Sequence, residues 1–313
     1  RSGANAVCKR FIHCDLRLSS DVDQLPQVDW VVDASANSSV LAGHGSFGSS
    51  RQAIENNLLT TINLLEYCKS HRSGLLLMSS SRVYSIPSIR QLKLEEREDH
   101  FSISVPEQLR EVCCEEGVTE SFPTSPPLSL YGATKLTSEI LALEYASAYG
   151  FPVWINRCGI LAGAGQFGRP DQGIVAYWIH SWFERLPLRY VGFRGLGLQV
   201  RDCLHPSDLG DLLLRQMAYS GTSTYRVFNA SGGIDHHFSL AQLSQWCNKR
   251  FGDHIVGADL AERHADVPWL ALDNTRTKET FAWQPQITLN EIFSEIADFA
   301  EQNPNWIRNV TRN

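Results

Sequence analysis

The sequence lacks several features that would have set its class at once. No apolar run approaches the roughly 18 residues needed to cross a bilayer, and the opening Arg1-Ser2-Gly3-Ala4-Asn5 has no apolar segment of a secretory signal. A soluble chain with no membrane partner is therefore expected. There is no Cys-x-x-Cys: the eight cysteines are scattered, with Cys113-Cys114 the only close pair. Neither a zinc site nor a disulfide framework is signalled, which suits reduced thiols in a cytoplasm. No basic run interleaved with aromatics occurs, and 28 Lys+Arg against 34 Asp+Glu leave a net charge of −6, so nucleic acid is not an expected partner. An initial Met is also missing, since the chain starts at Arg1.

What is present is ordinary for a globular protein: 313 residues, 43% apolar and 20% charged. At about 150 residues per domain the length suits two units, or one large unit with a lobe. Short apolar runs end in small or polar residues. Phe11-Ile12-His13-Cys14 runs into Asp15, Trp30-Val31-Val32 into Asp33-Ala34-Ser35-Ala36, Leu75-Leu76-Leu77-Met78 into three serines, and Val153-Trp154-Ile155 into Asn156-Arg157. Such runs suit strands buried on both faces. Between them Leu58, Ile62, Leu65 and Cys68, then Leu136, Ile140 and Leu143, recur at helical spacing. The alternation predicts an α/β fold with a parallel sheet under helices, and ligands at the carboxyl ends of the strands.

Five prolines and the charged run Glu95-Glu96-Arg97-Glu98-Asp99 between Ser85 and Leu130 predict a surface insertion over 85–130 with little helix. Beyond Gly192 the shorter, Gly-, Asp- and His-rich segments predict a smaller C-terminal lobe. The expected division is a cofactor domain over 1–190 and a mainly substrate-binding lobe over 191–313, with some segments returning to the first.

Two stretches match Gly-x-Gly-x-x-Gly: Gly43 to Gly48 and Gly163 to Gly168. A phosphate cradle needs a tight strand-to-helix turn with an acid at the end of the next strand. The first stretch lies well past its strand, and the second runs into Arg169-Pro170-Asp171, so both are expected to be plain glycine-rich loops. Tyr131 and Lys135 are the stronger signal. Four apart at the start of a predicted helix, they share a face, so the ammonium can favour the phenolate and give a base near neutral pH. Paired with the serine run Ser79-Ser80-Ser81 at a strand end, they form a set suited to hydride-transfer chemistry.

In order along the chain, Asp15-Leu16-Arg17, Ala34-Ser35-Ala36, Asn57 ahead of Thr61-Ile62-Asn63-Leu64-Leu65-Glu66, Ser79-Ser80-Ser81-Arg82-Val83-Tyr84, and Tyr131-Gly132-Ala133-Thr134-Lys135 are similar to the extended short-chain dehydrogenases that modify nucleotide sugars. Gln166-Phe167, Asp171-Gln172-Gly173 and Gln199-Val200-Arg201-Asp202 with His205 and Asp208 resemble its CDP-paratose 2-epimerase branch. The resemblance implies a Rossmann-like, doubly wound parallel sheet, NAD as cofactor, a nucleotide-sugar substrate and a homodimer. It implies that Tyr131, Lys135 and Ser80 are catalytic, with Lys135 also holding the nicotinamide ribose. Asp15 and Leu16 would flank the adenine, with Ala34, Ser35, Ala36 and Asn57 along the dinucleotide. Ser81, Arg82, Gln166, Phe167, Gln172, Arg201 and Arg263 would meet the substrate, the last two arginines as candidates for its diphosphate.

Departures from the family narrow the reading. Its sugar dehydratases carry an Asp-Glu pair where this chain has Ser81-Arg82, which disfavours water elimination. Asp33 stands where the family has His, and Ile160 where it commonly has Asn. The family's first strand, glycine turn and second strand should precede the Asp15 strand, yet only fourteen residues do. A start truncated inside the cofactor domain, and poor NAD binding by this chain, are therefore expected. The favoured expectation is an NAD-dependent epimerase of a nucleotide-activated deoxysugar. A nucleotide-sugar C4-epimerase or reductase, and a non-catalytic binding or scaffold protein of the same fold, stand as alternatives.

Overall fold

The structure, a computed structural model, describes residues 10–43, 48–105, 107–263 and 265–310. Its centre is a parallel sheet of four strands, β1 (Trp30–Asp33), β2 (Gly74–Ser80), β3 (Val153–Cys158) and β4 (Val227–Ala230), laid side by side in that order. The register pairs Asp33 with Leu77, Ser80 with Cys158, and Cys158 with Ala230, so the carboxyl ends of the strands line up.

Side chains alternate across the sheet, and both faces are covered. Leu75 and Leu77 of β2, with Val153 and Ile155 of β3, pack on Leu64, Leu65 and Cys68 of helix α1 (Thr60–His71) and Ala142 of helix α2 (Leu130–Tyr149). Leu76, Trp154 and Phe228 face the other way, onto Leu209 and Leu212 of helix α3 (Pro206–Met217) and Phe281 of helix α4 (Thr275–Phe281). Each buried leucine contributes roughly 1.5–3 kcal/mol through apolar area removed from water. The two helices read from periodicity are present, and the α/β expectation with a helix-covered parallel sheet holds.

A second sheet is built on the strand Val200–Leu204, with His237–Ser239 antiparallel to it and Ile160–Leu161 and Trp269–Leu270 parallel. Helices Ile174–Phe183, Leu240–Phe251 and Leu289–Gln302 share a core beside it.

Two expectations fail. Phe11 to Cys14 is not a strand, and Phe11 is 85% exposed. No described strand lies alongside to share a ladder, and a four-residue run without one has no strand partner for its backbone groups. The insertion is also not a surface excursion. It forms a short helix (Ile86–Arg90) and two small hairpins, and its Ile89, Cys113, Val118 and Phe122 are buried with Val200, Val267, Trp269 and Leu272. Prolines interrupt regular elements, but they do not keep the side chains between them out of a core.

Candidate active site

Strand β2 ends at Ser80, whose hydroxyl accepts the Arg82 backbone N–H at 3.2 Å and so starts the tight turn Ser81–Val83. Helix α2 begins next to that turn. The Ser129 hydroxyl caps it by accepting the Gly132 N–H at 3.0 Å, which places Tyr131 and Lys135 in its first turns. Gly132 is required there, because a Cβ on it would stand 2.2 Å from the Arg82 carbonyl oxygen. Tyr131 is 7% exposed and Lys135 2%, and the Ser80 hydroxyl lies close enough to act on the Tyr131 phenol.

The electrostatics differ from the expectation of a ready phenolate. Burial pushes the Tyr131 phenol above its ordinary value, with Ser80 and the Arg82 guanidinium pulling it partly back. Burial also lowers Lys135, opposed first by the charge of Asp33. Desolvation penalises the charged form of each group more than its neighbours favour it. Among the described residues the Lys135 ammonium has no hydrogen-bond acceptor or ion-pair partner, which leaves its donors for a ligand.

The residues expected along a dinucleotide lie around this centre. Asp33, at the end of β1, accepts the Ser35 N–H and hydroxyl and the Thr61 hydroxyl. Asn57 is wholly buried and spends its amide internally. It accepts the Asn37 N–H at 2.6 Å and donates to the Asn37 carbonyl and the Thr134 hydroxyl, pinning the segment after β1 against α2. Ala34 and Ala36 flank Ser35 in that segment. Asp15 is held down to about 2 by its hydrogen bonds from Arg17, and the Leu16 carbonyl accepts from Asn63.

The substrate candidates sort into two groups. Ser81 and Arg82 form the turn beside Tyr131, and among the described residues the Arg82 guanidinium has no hydrogen-bond or ion-pair partner. Arg201 is fully engaged, donating to the Asp266 carboxylate at 2.8 Å and to the Val200 and Val267 carbonyls. Burial lowers it to about 10. Gln166, Phe167 and Gln172 lie in one loop, tied to the segment after β1 by the Ser39 hydroxyl donating to Asp171 at 2.7 Å. There the Gln166 amide donates to the Leu161 carbonyl, and Phe167 stacks on Trp306 with ring centres 4.8 Å apart. The Gln172 carbonyl accepts from the Arg169 N–H, and Arg263 donates to the Pro170 carbonyl in the same loop.

The glycines of Gly163 to Gly168 serve packing. Gly163 sits against His205, Gly165 faces Phe299, and a Cβ on Gly168 would meet the Tyr177 backbone at 2.3 Å. In the first stretch Gly43 packs on Ser50 and Leu130, and residues 44–47 lie outside the described residues. The residues present thus fit the nicotinamide-ribose half of NAD, through the unpartnered Lys135 ammonium beside Tyr131. The Gly163 to Gly168 stretch, whose glycines are taken up by packing, is not shaped to hold a diphosphate.

Sequence reasoning placed Arg157 at a strand end but passed over Glu139, with which it forms a buried ion pair. Glu139 follows Lys135 at the spacing that sets Lys135 after Tyr131, and that recurrence could have singled it out.

Residues 1–231 match a family described as the NAD dependent epimerase/dehydratase family. A CDP-paratose 2-epimerase of Salmonella typhi is 24% identical over 303 residues, covering 92% of this chain and 83% of that protein. A UDP-glucuronate 4-epimerase of Thermodesulfobacterium geofontis is 25% identical over 260 residues, covering 82% and 68%. Among solved structures, a UDP-glucuronic acid 4-epimerase of Bacillus cereus superposes with a TM-score of 0.74 at 23% identity, covering 94% of this chain and 82% of that one. At that identity the superposition shows a common fold.

Proposed function

Because the chain belongs to the NAD-dependent epimerase/dehydratase family, we propose that it is an isomerase that epimerises a nucleotide-activated sugar, with Tyr131 as the proton-transfer residue. The observation that carries this is the buried pair Tyr131 and Lys135 beside the half-buried Ser80 at the carboxyl end of a strand of a parallel sheet. Tyr131 takes the proton of a sugar hydroxyl and later returns it, while Ser80 hydrogen-bonds the same oxygen and steadies the phenol. Lys135 offers its free donors to the ribose hydroxyls of the cofactor, and the Arg82 guanidinium favours the phenolate that burial opposes. When bound, NAD supplies reversible hydride acceptance, which lets one sugar carbon be oxidised and re-reduced on its other face with no net redox change. The turn after Ser80 carries Ser81 and Arg82 and no acid pair, which speaks against water elimination.

For the substrate we infer a CDP-deoxysugar, with interconversion of CDP-paratose and CDP-tyvelose at C2. The similarity over nearly the whole chain to a CDP-paratose 2-epimerase supports this. A UDP-sugar 4-epimerase is the second reading. It is favoured by the unpartnered Arg82 guanidinium beside Tyr131, which suits a sugar carrying a carboxylate, and by the similarity to a UDP-glucuronate 4-epimerase. Under either reading a homodimer is supported by Ile54, Leu59 and Ile140, exposed on neighbouring helical segments, with Ile140 of α2 53% exposed. A cytoplasmic location is supported by the seven free cysteines of the described residues. No helix among the described residues is long and apolar enough to cross a membrane.

The test incubates the protein and NAD with CDP-paratose and, separately, UDP-glucuronate, following the sugar by NMR. One of the two is expected to epimerise, and Tyr131→Phe is expected to lower the rate about 100-fold or more. A Tyr131→Phe protein that turns over at the parent rate would sink the assignment.

A further inference from the structure

A buried polar cluster lies directly behind the reacting groups, and the proposed reaction makes no use of it. Glu139 stands one turn beyond Lys135 and two beyond Tyr131 on the same face of α2. Its carboxylate accepts the Ser79 hydroxyl at 2.5 Å. It also accepts a two-pronged fork from Arg157 of β3, with Nη2 at 2.7 Å and Nε at 3.1 and 3.2 Å. Arg157 donates onward to the Glu120 carbonyl at 3.0 Å and lies over the Tyr84 ring.

One carboxylate thereby joins the helix that carries Tyr131 and Lys135 to the strand that carries Ser80. Because side chains alternate along a strand, fixing Ser79 on the α2 face also fixes how the strand end is rotated, and with it the direction of Ser80. A buried ion pair adds little net stability once its desolvation is counted, so the geometry it imposes is the more telling consequence. Arg157 keeps the carboxylate from swinging away, since a bidentate guanidinium fork fixes orientation as well as distance.

We propose that Ser79 and Glu139 are positioning residues for proton transfer: the Ser79–Glu139 hydrogen bond, backed by Arg157, holds the Ser80 hydroxyl in line with the Tyr131 phenol. The proposal rests on the reading of Tyr131 as acid and base. Neither residue touches the reacting atoms, and both act through Ser80.

The experiment uses the full chain with Ser79→Ala and Ser79→Thr. The alanine removes the hydroxyl, and the threonine keeps it. Tyrosine labelled with carbon-13 at Cζ reports the Tyr131 phenol by NMR, with Tyr131→Phe identifying its signal, and this needs no substrate. Ser79→Ala is expected to displace the Tyr131 signal as the Ser80 hydroxyl moves relative to the phenol, and Ser79→Thr to restore it. In the epimerase assay the alanine variant is expected to lose about tenfold in kcat with KM unchanged, again restored by threonine. A Tyr131 signal that stays in place in Ser79→Ala, or a threonine variant that fails to restore it, overturns the proposal. If the parent protein epimerises no nucleotide sugar, the functional reading fails, and the NMR result still decides whether Ser79 positions Ser80.

Discussion

At the scale of single residues, the most consequential side chain outside the reacting set is Asp202. It is fully buried in the strand Val200–Leu204, its Oδ2 has no hydrogen-bond partner among the described residues, and it presses on Gly159, where a Cβ would come within 2.4 Å of that oxygen. Burial raises its carboxyl from the ordinary 3.8 to about 7. Between those values the unfolded chain has lost the proton and the folded chain keeps it. The folded state therefore binds more protons, and stability falls as pH rises through this window. Asp202→Asn removes the titration, so the variant is expected to melt above the parent at pH 8, with the difference shrinking towards pH 4. The effect at pH 8 is on the order of a few kcal/mol at most, since each pH unit of that window is worth about 1.4 kcal/mol. Melting temperatures of the two proteins across that range check it, and a pH-independent difference would contradict the account.

The decisive element is the start of α2. Gly132 sits inside a helix, where replacing glycine by alanine normally stabilises by roughly 0.5–1 kcal/mol. Here the added Cβ meets the Arg82 backbone carbonyl, which belongs to the turn held by Ser80 and cannot swing aside like a side-chain tip. Overpacking of this kind costs about 1–3 kcal/mol and outweighs the gain in propensity. Gly132→Ala is therefore expected to lower both the melting temperature and kcat, because helix and turn must separate and carry Tyr131 away from Ser80. Thermal melts with a turnover assay read the outcome, and a variant more stable than the parent would show that the close approach does not matter.

At the scale of the whole molecule, the insertion and the C-terminal segment share one core. Trp269 is buried among Val118 and Phe122 of the insertion and Val200 and Val267 on its own side. Trp269→Ala is expected to cost about 3–5 kcal/mol, as large aromatic truncations in cores do. It should also loosen the hairpin that carries the exposed charged run 95–99, so that protease cuts there well before the central sheet. Limited proteolysis followed by mass spectrometry tests this, and equal cleavage rates in both regions would refute the shared core. Arg82, next to Tyr131, lines a small cavity with Tyr84, Ile89, Val267 and Leu270, so loosening that core would also disturb the wall of the candidate site.

The local residue pattern was enough to determine the alternation of strands and helices, and to single out Ser80, Tyr131 and Lys135, which the fold brings together at a strand end as the candidate set. Each depends on periodicity or spacing within a few residues, which the chain carries directly. Tertiary structure alone decided the rest. Phe11 to Cys14 has strand chemistry and no described neighbour to pair with, so its pattern could not show that it stays irregular. The insertion is full of prolines and still buried, because burial depends on what lies opposite. The Tyr131 phenol is raised and not lowered, since desolvation by distant segments outweighs the Ser80 hydroxyl and the Arg82 guanidinium. Glu139 and Arg157, eighteen residues apart, meet only because β3 returns beside β2 beneath α2.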